Sequence, residues 1–158
     1  MRTVYRVLAY LLALEVLVQG MAIAYAIAGV GYWVENDGGV VNKALFDNED
    51  AKFGGLAGFI VHGMNGMMVI PLLVLILLVV SFFTKLPGAT KRAAILFGLV
   101  VLQVFLGIFS HEIPQVVMLH VLNAFAIFLL ALQTGQRLRT TGSLKKPEAA
   151  PVLESASV

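Results

Sequence analysis

Four long apolar runs constrain this chain more than any other feature: Val4 to Val30, Leu56 to Phe83, Ala93 to Phe109 and Val116 to Leu132. A bilayer core of about 30 Å takes about 20 helical residues to cross. Backbone groups in lipid must bond one another, which leaves helices or closed barrels, and these runs lack the alternation of a barrel strand. The prediction is an all-α integral membrane four-helix bundle over residues 1–139, with an outer loop at 31–55 and a disordered cytoplasmic tail at 140–158. Composition agrees, with 59% hydrophobic and 13% charged residues, far from the balance of a soluble domain. Nucleic-acid binding is excluded on the same ground. The absence of cysteine removes disulfides, iron–sulfur ligation and covalent c-type haem. No nucleotide loop, zinc-protease helix or nucleophile elbow is present, so the balance of the sequence is against an enzyme.

Basic residues orient the bundle. Arg2, Arg6, Lys85, Lys91, Arg92, Arg137, Arg139, Lys145 and Lys146 fall on one side, nine of the eleven in the chain. The positive-inside rule then predicts cytoplasmic termini and a multi-pass protein of the bacterial inner membrane. The opposite side carries Glu35, Asp37, Asp47, Glu49 and Asp50, with Tyr32 and Trp33 as interfacial anchors. The opening MRTVYR and the small-residue stretch AIAYAIAG also suit a cleaved signal peptide. Glu15 and the 27-residue length of the run favour a retained span.

Polar side chains inside spans are costly, and each is a functional candidate. Here they are Glu15, Gln19, His62, Asn65, Gln103, His120 and Asn123. Span two holds His62-Gly-Met-Asn65 and span four His120-Val-Leu-Asn123, the same His-x-x-Asn on helices of the same direction. With Glu15 to Gly20 echoed by Gln103 to Gly107, the chain reads as two parallel two-helix repeats. Both histidines lie six residues in from the outer ends at Leu56 and Pro114, about 9 Å of helix. The inner-end counts, 23 residues to Lys85 and 17 to Arg137, disagree. Tilt or a kink at Pro71 must absorb that difference.

Two imidazoles in an apolar bundle, without thiolate or carboxylate, suit haem iron better than zinc, which takes three or four protein ligands. Gly58, Gly63 and Gly66 leave room beside His62, either for a flat macrocycle or for helix packing. Asn65 and Asn123, a turn deeper, could bond a ring edge or a neighbouring carbonyl. The stretch LQVFLGIFSHEIPQVVMLHVLNAFAIF resembles the second helix pair of one half of haem A synthase, and AGFIVHGMNGMMVIPLLVL resembles the His-bearing helix of the other pair. That resemblance implies a four-helix half-unit in which a His on the second helix and a His on the fourth, here His62 and His120, ligate a b-type haem. The family has two such halves fused, where this chain has one, and Gly58 and Phe59 stand where its helix carries an acidic residue. The whole chain also resembles a family of small bacterial four-helix membrane proteins, which implies architecture and no chemistry.

Other readings stay open. The histidines could act as interhelical hydrogen-bond donors that set register, in a non-catalytic subunit of a larger, respiratory membrane complex. A quinone is a further candidate partner, and a small proton-linked transporter is the weakest alternative. Glu15 is expected level with Gln103, either as its protonated partner or as a proton relay. His111, beside Glu112, is expected in solvent, with a haem propionate as the functional alternative. Met64, Met67 and Met68 are expected as core filler.

Overall fold

The computed structural model describes residues 1–48 and 50–143. Its elements are α1 (Arg2–Asp37), α2 (Lys43–Asp47), α3 (Leu56–Met64), a π-helical turn (Asn65–Val69), α4 (Ile70–Ser81), α5 (Ala89–Phe109) and α6 (Val116–Ser143). No strand occurs among the described residues. Four helices are long and apolar enough to cross a membrane: Arg2–Asp37, Leu56–Ser81, Ala89–Phe109 and Val116–Arg137.

The spans sit where the apolar runs predict, but the first and last helices outlast them. α1 continues to Asp37, so residues 31–37 are helical and not loop; it stops where Gly38 turns left-handed (φ 68°) and donates its N–H to Trp33 O. α6 runs to Ser143, which makes 140–143 helical and corrects a tail expected to start at Thr140; residues 144–158 lie outside those described. The reason is common to both ends. An apolar run measures lipid, whereas a helix continues as far as its backbone bonds are made, even through residues of middling propensity such as Tyr32, Trp33 and Thr140.

α1 packs against α6 and against α3 and α4, and α5 packs against α4 and α6. Spans two and four therefore stand on one diagonal of the bundle. The hydrophobic core is gathered towards one end. Tyr5, Leu12, Val74, Leu77, Leu96, Val100 and Ile127 are almost wholly buried. There the Tyr5 hydroxyl donates to Ala89 O (2.9 Å), and Arg2 Nε donates to Thr84 O (3.3 Å). At the other end α1 and α3 meet backbone to backbone. A Cβ on Gly58 would stand 2.5 Å from Ala22 O and 2.8 Å from Ala26 N. Gly58 thus serves close helix packing rather than room for a cofactor. α5 packs on α4 but not extensively on α3, so spans two and three diverge towards the loop that joins α1 to α3. A cleft of about 230 Å³ lies between them, lined by Met67, Pro71, Phe97, Val104 and Phe105 among others.

A π turn stands just before Pro71, where the sequence called for tilt or a kink. Proline lacks an N–H and crowds the carbonyl four residues back; here the wide turn ends with Ile70 N–H bonded to Asn65 O, five residues back. A π turn of this kind adds one residue to the helix without breaking it. It begins at Asn65, directly after the His62 turn.

Candidate functional site

All seven intramembrane polar residues fall into two clusters with matching histidine bonds. In the first, His62 Nδ1 lies 3.2 Å from the main-chain oxygen of Gln19. In the second, His120 Nδ1 lies 3.2 Å from the main-chain oxygen of Gln103. A carbonyl only accepts, so wherever either contact is a hydrogen bond Nδ1 carries the proton and Nε2 keeps its lone pair. Among the described residues neither Nε2 has a hydrogen-bond partner, although both rings are half-buried.

The asparagines fasten each cluster one turn deeper. Asn123 Nδ2 donates to Leu99 O (2.9 Å) and to Gln103 Oε1 (2.7 Å), at 8% exposure. Asn65 Nδ2 donates to Glu15 Oε2 (2.7 Å). With the Gln19 amide turned so that all its neighbours are matched, its oxygen accepts from Asn65 Nδ2 (3.0 Å) and Gly66 N–H (3.2 Å). Its nitrogen then donates to His62 O (3.0 Å) and stands 2.8 Å from His62 Nδ1. Such an amide orientation is assigned from the surrounding bonds.

This corrects the expected place of Glu15. Its carboxyl pairs with Asn65 on span two and not with Gln103, whose amide oxygen is taken by Asn123. Side-chain depth alone had matched Glu15 to Gln103. The fold instead matches Gln19 to Gln103, because each lends its main-chain carbonyl to the histidine of the next helix.

The clusters meet across the diagonal. The rings of His62 and His120 lie 6.2 Å apart, centroid to centroid, with their planes at 52°. A metal bound in line by two imidazoles, with bonds of about 2.0–2.1 Å, would hold the ring centres about 6.3 Å apart. No group of three or more His, Cys, Asp or Glu that could hold a metal ion occurs among the described residues. Two nitrogens alone make a poor site for a free ion. They do suit a metal whose remaining donors come with it, as in a tetrapyrrole.

The space beside the pair is also open. The buried core ends at Ala13, Ile70, Val100 and Ile127, each nearer the end of the bundle that holds the two termini than the polar residues of its own span. A Cβ on Gly63, next to His62, would meet nothing within 4 Å, whereas one on Gly107 would stand 3.2 Å from His120 Cε1. Gly107 is thus the floor on which His120 rests, a role its place in the sequence did not signal. The Leu99 carbonyl was equally invisible, since any residue supplies one.

His111 is exposed in the turn between α5 and α6, and no contact joins it to the pair among the described residues. Met64, Met67 and Met68 are 60%, 54% and 66% exposed, so they face outward and are not core filler. Trp33, Phe53 and Phe59 stack beneath the outer loop, with centroids 6.0 and 6.2 Å apart in turn. Comparison of this chain with known protein families, with characterised proteins and with solved structures finds no match.

Proposed function

We propose that this protein binds one b-type haem between His62 and His120 and serves electron transfer or haem handling in the bacterial inner membrane. The observation that carries the reading is the paired state of the two rings. Each has a main-chain carbonyl placed to take Nδ1–H and leave Nε2 unpartnered, and the ring centres stand at a separation that one metal can bridge. Fixing one ring nitrogen by a carbonyl bond is how a ligating histidine has its tautomer and orientation set. Histidines that only set helix register would have done their work with Nδ1, and an idle half-buried nitrogen in lipid is a cost without return. The haem would supply a one-electron couple. Asn65 and Asn123 would steady the helix faces that present the ligands.

The two halves are best described as parallel repeats, Gln19–His62–Asn65 and Gln103–His120–Asn123. The basic residues put both termini in the cytoplasm and the histidines in the outer half of the membrane. Resemblance to half of haem A synthase supports the ligand pair but not the synthesis reaction, since the family's acidic position is Gly58 or Phe59 here. Protein purified from cells grown with a haem supply should show the absorption spectrum of a six-coordinate low-spin haem. That spectrum should be lost in both His62→Ala and His120→Ala. A colourless protein that takes up no added haemin would overturn the reading and leave a cofactor-free accessory subunit as the better account.

A further inference from the structure

The two halves of the site are built alike but are not equivalent, and the difference sits at Gln19. Among the described residues His120 Nδ1 has one neighbour that can bond it, the Gln103 carbonyl at 3.2 Å. His62 Nδ1 has two that make opposite demands. The Gln19 carbonyl at 3.2 Å requires an N–H on Nδ1, whereas the Gln19 amide nitrogen at 2.8 Å requires a lone pair there. One nitrogen cannot meet both, because a neutral imidazole has a single N–H.

The consequence falls on the far side of the ring. When Nδ1 donates to the carbonyl, Nε2 has its lone pair and can ligate. When Nδ1 accepts from the amide, the proton sits on Nε2 and that atom cannot bind a metal. The ring is neutral in both forms, so only the position of one hydrogen changes. The surroundings repeat the contrast: His120 rests on Gly107, and its Asn123 is tied to two acceptors. Beside His62, Gly63 opens on free space, and Asn65 is shared between Glu15 and Gln19.

We infer that Gln19 keeps His62 divided between two tautomers while His120 is held in the ligating one, so that His120 is the standing ligand of the proposed haem and His62 the exchangeable one. Gln19 is then a positioning residue, acting through His62. The inference rests on the haem reading only in its second half. In an exchange the His62 Nε2–iron bond breaks, a small neutral iron ligand takes its place, and no electron is transferred. Such a site admits an exogenous ligand on the His62 side alone.

The tautomers can be read without haem. In ¹⁵N NMR of the cofactor-free protein in lipid nanodiscs, with the three histidines assigned by single replacement, His120 should show the Nδ1–H form. His62 should show both forms, and Gln19→Leu should collapse it to Nδ1–H, since the carbonyl remains and the amide is gone. A single Nδ1–H form for His62 in the unaltered protein, or no change in Gln19→Leu, would overturn the role of Gln19. If Gln19→Leu fails to fold, the spectrum of the unaltered protein decides alone. In the haem-loaded ferrous protein, carbon monoxide should displace His62, and its affinity should fall about tenfold in Gln19→Leu, the scale of one hydrogen bond. His62→Ala should keep a five-coordinate haem where His120→Ala loses it. The reverse order of retention would overturn the assignment of the two ligands. Failure to bind haem at all would remove the proposed function and leave the tautomer result standing.

Discussion

Each candidate side chain is defined by the atom it bonds. Glu15 offers a carboxyl oxygen to Asn65 Nδ2 at 2.7 Å, and a Gln in its place keeps a carbonyl oxygen there. Glu15→Gln should therefore unfold within a few degrees of the unaltered protein in a detergent thermal melt. Glu15→Leu removes the acceptor and should lose about 1 kcal/mol, near the upper part of the range for interhelical bonds in membranes. Loss of a proton-linked activity with an unchanged melt in Glu15→Gln would assign the residue to proton relay instead. The glycines beside the two rings should also part company. Gly107→Ala places a Cβ 3.2 Å from His120 Cε1 and should displace that ring, with a cost of about 1–3 kcal/mol for the overpacking. Gly63→Ala meets nothing and should be neutral or gain about 0.5–1 kcal/mol from helix propensity. Equal effects of the two would mean that His120 does not rest on Gly107.

Among the elements, span two carries the most consequential detail. Its apolar run and its proline were plain in the sequence, but the wide turn at Asn65–Val69 was not, because a π turn has no composition of its own. The turn takes up one extra residue, so α3 and α4 keep the relative facing of an ordinary helix one residue shorter. Deleting Met68, which is exposed and bonds nothing described, should therefore restore an ordinary helix with His62 still turned towards His120. The expected result is that helical content and the spectrum of the proposed haem both survive the deletion. Loss of that spectrum with helical content preserved would show that the π turn does not absorb the extra residue. The α1–α3 crossing is a second detail that sequence hinted at without resolving. Gly58 was legible as a small residue near His62, and only the approach of Ala22 and Ala26 shows that it is occupied by a neighbouring helix.

For the whole molecule the strongest expectation is topological. Nine of eleven basic residues lie on the side of the two termini, so the loop from Gly38 to Gly55 should be cut by protease only from the outer face of sealed vesicles. Cleavage from the cytoplasmic face would invert the molecule and move both histidines to the inner half of the membrane. The number of spans, their helical nature and the list of polar residues within them were determined by sequence alone, because lipid sets the required length and forbids unpaired backbone, and these demands are local in the chain. The His-x-x-Asn pair was legible for the same reason, as three-residue spacing on one helix is a local property. Which side chain faces which was decided only by the tertiary structure. Gln19 and His62 are 43 residues apart, Gln103 and His120 only 17, and the bond that makes them equivalent runs to a main-chain carbonyl that no residue type announces. The 6.2 Å between the rings is likewise a property of the diagonal on which spans two and four stand. It depends on helix order, crossing and register together, and those are fixed by packing between segments rather than by any one of them.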